Sequence, residues 1–222
     1  MPAGGMNGLP LQGVTVLAVE DSRFASEALR LMCRRLGARL RRAESLQAAA
    51  SHLKLYRPDI VIVDLGLPDG RGEALIAEIS ARTPRVVVLG MSGDAGGRAG
   101  AMAAGADGFV DKPLESFAVF HALLTAHLPD HAGEMVSWDA GVEPDGLALR
   151  DDLARAAEML DGDVGGVVGR DYVAGFVKGV AHLAHDTALA EAAGGARLDE
   201  VRALLRDRLG RPDMAFGRVK VA

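Results

Sequence analysis

A doubly wound α/β domain with a five-stranded parallel sheet, trailed by a small all-α region, is the architecture written into this chain of 222 residues. Short Val/Ile runs alternate with segments of helical spacing through the first 128 residues. Those runs are continuous rather than alternating, as in strands buried on both faces of a parallel sheet. Beyond a break near residue 128 the pattern becomes purely helical.

In chain order, the strand-like runs are VTVLAVE (14–20), a weaker ARLRRA (38–43), DIVIVD (59–64), RVVVLGM (85–91) and GFVD (108–111). Helical spacing fills 24–36, 45–56, 71–82, 95–104 and 114–128. Strands alternating with helices make βαβ units and a doubly wound sheet. The segment LPDHAGEMVSWDAGVEPDG (128–146) has two prolines and no periodicity, so it reads as a linker. Three helices are then expected. Leu149, Leu153, Ala156 and Leu160 share one face, with Asp145 as a cap. Val173, Phe176, Val177, Val180, Leu183, Ala184 and Thr187 line a second stripe; Leu198, Val201, Leu204, Leu205 and Leu209 line a third, stopped by Gly210 and Pro212. The expected organisation is a tail (1–12), the α/β domain (13–128), the linker (129–146), a helical output or dimerisation region (147–210) and a tail (211–222). A helical unit of this size has a marginal core alone, so its apolar stripes should find a surface to cover. Trp138 and Phe176 are candidate anchors.

Composition narrows the function classes. No apolar stretch approaches the ~20 residues of a membrane-spanning helix, and MPAGGMNGLPLQG lacks the pattern of a secretory signal. The single cysteine, Cys33, excludes an internal disulfide and suits a reducing cytosol, so a cytoplasmic protein is expected. Residues 1–129 carry 14 Lys/Arg against 13 Asp/Glu, and residues 130–222 carry 11 against 17. An acidic second part argues against nucleic-acid binding, which begins with phosphate neutralisation.

In doubly wound sheets the chemistry lies beyond the carboxyl ends of the strands. Those ends hold Glu20 and Asp21, Asp64, Ser92 and Lys112. Adjacent carboxylates repel and resist desolvation, so they imply a positive partner. An oxygen-rich cluster suits a hard divalent cation, Mg²⁺ above all. With an ammonium and a hydroxyl opposite, the set suits a phosphoryl group carried on a carboxylate. The plainer alternatives are a helix cap at Asp21, an edge salt bridge between Asp64 and Lys112, and a helix start at Ser92.

Together VED (19–21), DIVIVDLGLPDGRG (59–72), VVVLGMSG (86–93) and GADGFVDKP (105–113), in this order and spacing, resemble the receiver domain of two-component response regulators, a flavodoxin-like fold. The resemblance covers about residues 13–128. It implies that Asp64 is the phosphoacceptor, that Glu20, Asp21, Asp64 and the Gly66 backbone hold Mg²⁺, and that Lys112 precedes a cis Pro113. It implies a switch through Ser92 and Phe109, and a sensor histidine kinase or phosphotransfer protein as phosphoryl donor. It implies signalling through a downstream protein partner or a homodimer rather than catalysis, apart from self-dephosphorylation. The chain departs from the family at Gly93, where alanine is usual, followed by Asp94; Gly66 leaves Asp64 open to water. A haloacid-dehalogenase-like phosphatase would need an aspartate two residues after Asp21, and Arg23 stands there.

The segment VKGVA (177–181) faintly resembles the Lys-Gly stretch of histidine phosphotransfer domains. That family's phosphorylated histidine lies three residues before the lysine, where this chain has Gly175. His182 and His185, three apart, are out of register. A phosphorelay intermediate using one of them, and a transcription factor with an unfamiliar DNA-binding domain, are the alternatives to a protein-contact output.

Overall fold

A computed structural model describes residues 9–94, 96–114, 116–128, 145–162 and 166–210. The first unit runs β1 (Thr15–Val19), α1 (Arg23–Arg35), β2 (Arg39–Ala43), α2 (Leu46–Leu55), β3 (Ile60–Asp64), β4 (Gly66–Leu67), β5 (Gly70–Arg71), α3 (Gly72–Ser80), β6 (Val87–Ser92), α4 (Gly97–Ala103), β7 (Gly108–Asp111) and α5 (Phe117–Ala126). Five strands form one parallel sheet in the order β2-β1-β3-β6-β7. The short β4 and β5 pair antiparallel beside it, a hairpin too brief to show in the residue pattern.

Alternate residues of each strand feed two cores. Val16, Ala18, Ile60, Ile62, Leu89 and Met91 face α1 and α5, meeting Leu29, Met32, Phe120 and Leu124. Leu17, Val19, Val61, Val63 and Val88 face the other helices, meeting Ala49, Leu75, Ile76, Ile79 and Ala101. Every residue of β3 is buried, whereas β2 alternates, as the edge strand should; its exposed Arg39 and Arg41 explain why its pattern was weak. Side-chain caps start three of the helices: Ser22 accepts from the Ala25 N–H, Ser45 from Ala48 and Ser116 from Val119. Ser22, not Asp21, therefore caps α1. Leu11, within the segment assigned to the N-terminal tail, is fully buried, and its N–H bonds the Leu36 carbonyl at 2.8 Å.

The second unit comprises α6 (Gly146–Asp161), α7 (Gly166–Leu183), α8 (Thr187–Gly194) and α9 (Leu198–Gly210). This corrects the expected three helices among the described residues. The long stripe breaks because His185 takes a left-handed conformation (φ 55°) and Asp186 caps a new helix through the Leu189 N–H. Thr187 is consequently exposed rather than on the stripe, and His182 and His185 do not share a helix. Asp145 caps α6 as expected, accepting from the Leu147 N–H at 3.0 Å. Leu153, Ala156, Leu160, Val173, Phe176, Val177, Val180, Val201 and Leu205 build a separate core, sharing no buried residue with the cores of the α/β unit. Trp138 and the linker residues 129–144 lie outside the described residues, as does the tail 211–222.

α6 and α7 pack on α1, and α7 also reaches β4. The helical unit thus sits over the carboxyl edge of the sheet, where the strand-end residues gather.

Candidate functional site

Because all five strands run in one direction, their last residues reach a common edge. Glu20 and Asp21 follow β1, Asp64 ends β3, Ser92 ends β6 and Lys112 follows β7. The Glu20 N–H still bonds the Ala43 carbonyl at 2.8 Å, which extends the ladder and fixes the acidic pair in place. Glu20 and Asp21 are each 1% exposed and Asp64 is 7% exposed, too little for water to neutralise them.

Glu20, Asp21 and Asp64 each present a carboxylate oxygen within 4.8 Å of the other two. The Lys112 ammonium bridges two of them, 2.7 Å from Glu20 Oε2 and 2.9 Å from Asp64 Oδ2. This is more than an edge salt bridge, since one cation serves two buried anions. The Gly66 N–H lies 3.3 Å from Asp64 Oδ1, turning the chain back over the carboxylate. Gly72 starts α3 against the same residue; a Cβ there would stand 2.2 Å from the Asp64 carbonyl oxygen, so only glycine fits.

Burial and mutual repulsion shift the charges of this cluster. Burial pushes the Glu20 carboxyl up to about 8, with Lys112 opposing and Asp64 and Asp21 adding to the rise. Burial also raises Asp21, against the Tyr172 hydrogen bond and Arg155. Burial alone would lower Lys112, yet the carboxylates of Asp64 and Glu20 hold it above its ordinary range. Three clustered oxygens with no nitrogen or sulfur ligand form a donor set that fits a hard divalent cation.

The remaining expected residues lie one layer away. Ser92 is 9% exposed and its Oγ accepts from the Asp94 N–H at 3.1 Å, while Gly96, not Ser92, caps α4. Phe109 is buried beneath α4, with the Arg98 guanidinium 5.0 Å from its ring centroid. The Lys112–Pro113 peptide is cis, as is Thr83–Pro84. Gly66 is exposed, with open space where a Cβ would stand.

Four residues of the helical unit reach this edge, and only Lys178, the lysine of VKGVA, had been singled out from the sequence. Asp152, 1% exposed, accepts from Ser22 Oγ at 2.7 Å, the Arg23 N–H at 3.0 Å and the Phe24 N–H at 2.9 Å, so a carboxylate from α6 closes the N-terminus of α1. Arg155 donates to the Asp21 carbonyl at 3.0 Å and lies 3.4 Å from its carboxylate. The Tyr172 hydroxyl donates to Asp21 Oδ2; burial and the neighbouring carboxylate hold the phenol well above its ordinary range, so it keeps its proton. Lys178 pairs with Asp94 at 2.7 Å, which gives the unusual Asp94 a partner. The one available signal was Asp152 next to Leu153 at the border of an apolar stripe; nothing local says what it faces.

The family model of the response regulator receiver domain matches residues 16–124. The transcriptional regulatory protein KdpE of Escherichia coli K12 is 36% identical over 101 residues, 45% of this chain and 44% of that protein. The virulence transcriptional regulatory protein PhoP of Salmonella typhimurium 14028s is 34% identical over 101 residues, 45% of each chain. The matched segment spans less than half the length of either relative. A solved chain from Chloroflexus aurantiacus assigned as a response regulator superposes with a TM-score of 0.50 at 26% identity, over 52% of this chain and 98% of that one.

Proposed function

Residues 16–124 are a response regulator receiver domain, and from that premise we propose that Asp64 accepts a phosphoryl group from a phosphohistidine of a sensor kinase or phosphotransfer protein. A carboxylate oxygen of Asp64 attacks phosphorus, the P–N bond to the donor imidazole breaks, and the imidazole leaves with that electron pair. The product is an acyl phosphate. The observation that carries this reading is the buried triplet of Glu20, Asp21 and Asp64 with Lys112 between two of its members.

Asp21, Asp64 and the Gly66 carbonyl would hold Mg²⁺, which when bound neutralises charge that builds on the transferring group. Glu20 keeps Lys112 aimed at Asp64 and supports the acidic pocket. Lys112, 2.9 Å from Asp64 Oδ2, pairs with one phosphoryl oxygen, and the Ser92 hydroxyl donates to another by leaving the Asp94 N–H. Phe109, on the strand that Lys112 follows, carries that movement toward α4. Output passes through protein contacts of the helical unit. The printed names of KdpE and PhoP describe transcriptional regulators; the acidic balance of residues 130–222 favours a protein partner here.

Incubation with acetyl phosphate and Mg²⁺ tests the reading by intact mass. The wild-type chain should gain one phosphoryl group and Asp64→Asn none. Labelling of Asp64→Asn at the wild-type level would overturn the assignment.

A further inference from the structure

Two of the contacts between the helical unit and the strand ends meet at one atom. Asp21 Oδ2 takes the Tyr172 hydroxyl and faces the Arg155 guanidinium at 3.4 Å. Arg155 is itself braced, bonding the Tyr172 oxygen at 3.3 Å and lying 5.2 Å from the Phe176 ring centroid. Both residues come from helices that otherwise build their own core. With Lys112 and Arg155 present, two protein cations stand against three carboxylates.

We infer that Tyr172 and Arg155 form a clasp on the Asp21 carboxylate, so that docking of α6 and α7 and loading of the site with a divalent cation oppose each other. The inference rests on the metal assignment made above and names its regulation. A cation arriving at Asp21 meets a carboxylate oxygen already hydrogen-bonded and a guanidinium of like sign nearby. It competes with both for the same carboxylate. Displacement removes two of the contacts that hold α6 and α7 to the receiver, leaving the buried Asp152 contacts with Ser22 and Phe24 as the main tie, beside ion pairs that water can replace. Arg23–Asp151 is an ion pair between half-exposed side chains, and Asp94 in the Lys178 pair is exposed. Among the described residues the two units share no buried apolar cluster that would hold them once the polar contacts part.

Reciprocity gives the device its use. If docking weakens cation binding by some factor, cation binding weakens docking by the same factor. The helical unit therefore docks most firmly on the uncharged site and is held less tightly as the site is charged. Release would expose α1 together with the faces of α6 and α7 that now cover it, so a partner could read the charged state from surface absent in the closed one.

Calorimetric titration of Mg²⁺ into the full-length chain tests the clasp without any phosphorylation readout. Tyr172→Phe removes the donated proton and keeps the ring beside Phe176, whose centroid is 6.2 Å away. Arg155→Gln removes the competing charge. Each should tighten Mg²⁺ binding about tenfold, toward the lower end of the range for coupled sites. Asp64→Asn serves as the control that assigns the heat to this site. Hydrogen exchange should show α6 and α7 losing protection when Mg²⁺ and beryllofluoride are added to the wild-type chain. Equal Mg²⁺ affinity in wild type and both variants, with the signal lost in Asp64→Asn, would overturn the clasp and leave the metal site standing. No Mg²⁺ binding by any of the chains would overturn the metal assignment and the clasp with it. Binding by the variants alone would support both.

Discussion

Asp152→Ala is the sharpest structural perturbation available, because one buried carboxylate satisfies three donors at the start of α1. The contacts with Ser22 Oγ at 2.7 Å and the Phe24 N–H at 2.9 Å are buried, and the Arg23 N–H at 3.0 Å is partly open. Hydrogen bonds to a charged acceptor contribute about 1.5 kcal/mol or more each. Counting only the two buried ones gives roughly 3 kcal/mol, since water can serve the third. Neutralising the carboxylate also removes its attraction to the helix N-terminus, about 0.3–1 kcal/mol. A loss of about 3 kcal/mol raises the undocked population roughly a hundredfold. Hydrogen exchange measures this directly: amides of α6 and of the first turn of α1 should exchange about a hundredfold faster, while those of β3 keep their protection. Asp152→Asn, which keeps an acceptor oxygen, should fall between. An Asp152→Ala protein with unchanged exchange in α6 and a urea midpoint equal to wild type would refute the view that this carboxylate ties the two units together.

Two further outcomes follow from the receiver core. Burial pushes the Cys33 thiol from 9.0 up to about 12, so native protein at pH 8 should resist alkylation and react only on unfolding. The folded state then holds a proton that the unfolded chain releases, so Cys33 lowers stability as pH climbs above 9, and Cys33→Ala should flatten that slope in thermal melts. At Gly90→Ala, the new Cβ would meet Ala101 Cβ at 2.5 Å and Phe109 Cδ2 at 3.1 Å; α4 must shift, and urea denaturation should report a loss of about 1–3 kcal/mol.

The α/β unit was legible because its information is local. The continuous Val/Ile runs of β3 and β6 could belong only to strands buried on both faces, and parallel strands bring Glu20, Asp21, Asp64, Ser92 and Lys112 to one edge whatever the loops do. The helical unit was legible only as helices. Its stripes revealed which residues would be buried, and Val173, Phe176, Val177 and Val180 are. The break at His185 and Asp186 leaves no mark in the residue pattern, because the apolar spacing runs on across it while a single left-handed residue ends the helix. Tyr172, Arg155 and Asp152 are ordinary polar residues of amphipathic helices until the other unit is placed beside them. Their partners lie 151, 134 and 130 residues away in the chain, beyond the reach of any local pattern.

Crystals grown with Mg²⁺ and beryllofluoride would test the central claim most directly, namely that the carboxyl edge of this sheet is built to hold a divalent cation beside a phosphorylatable Asp64. The account predicts beryllofluoride on Asp64, the cation between the carboxylates of Asp21 and Asp64 and the Gly66 carbonyl, Lys112 on a fluorine, and Tyr172 withdrawn from Asp21. Density showing a bare Asp64, with Asp21 still bound to Tyr172 and the metal elsewhere, would contradict it.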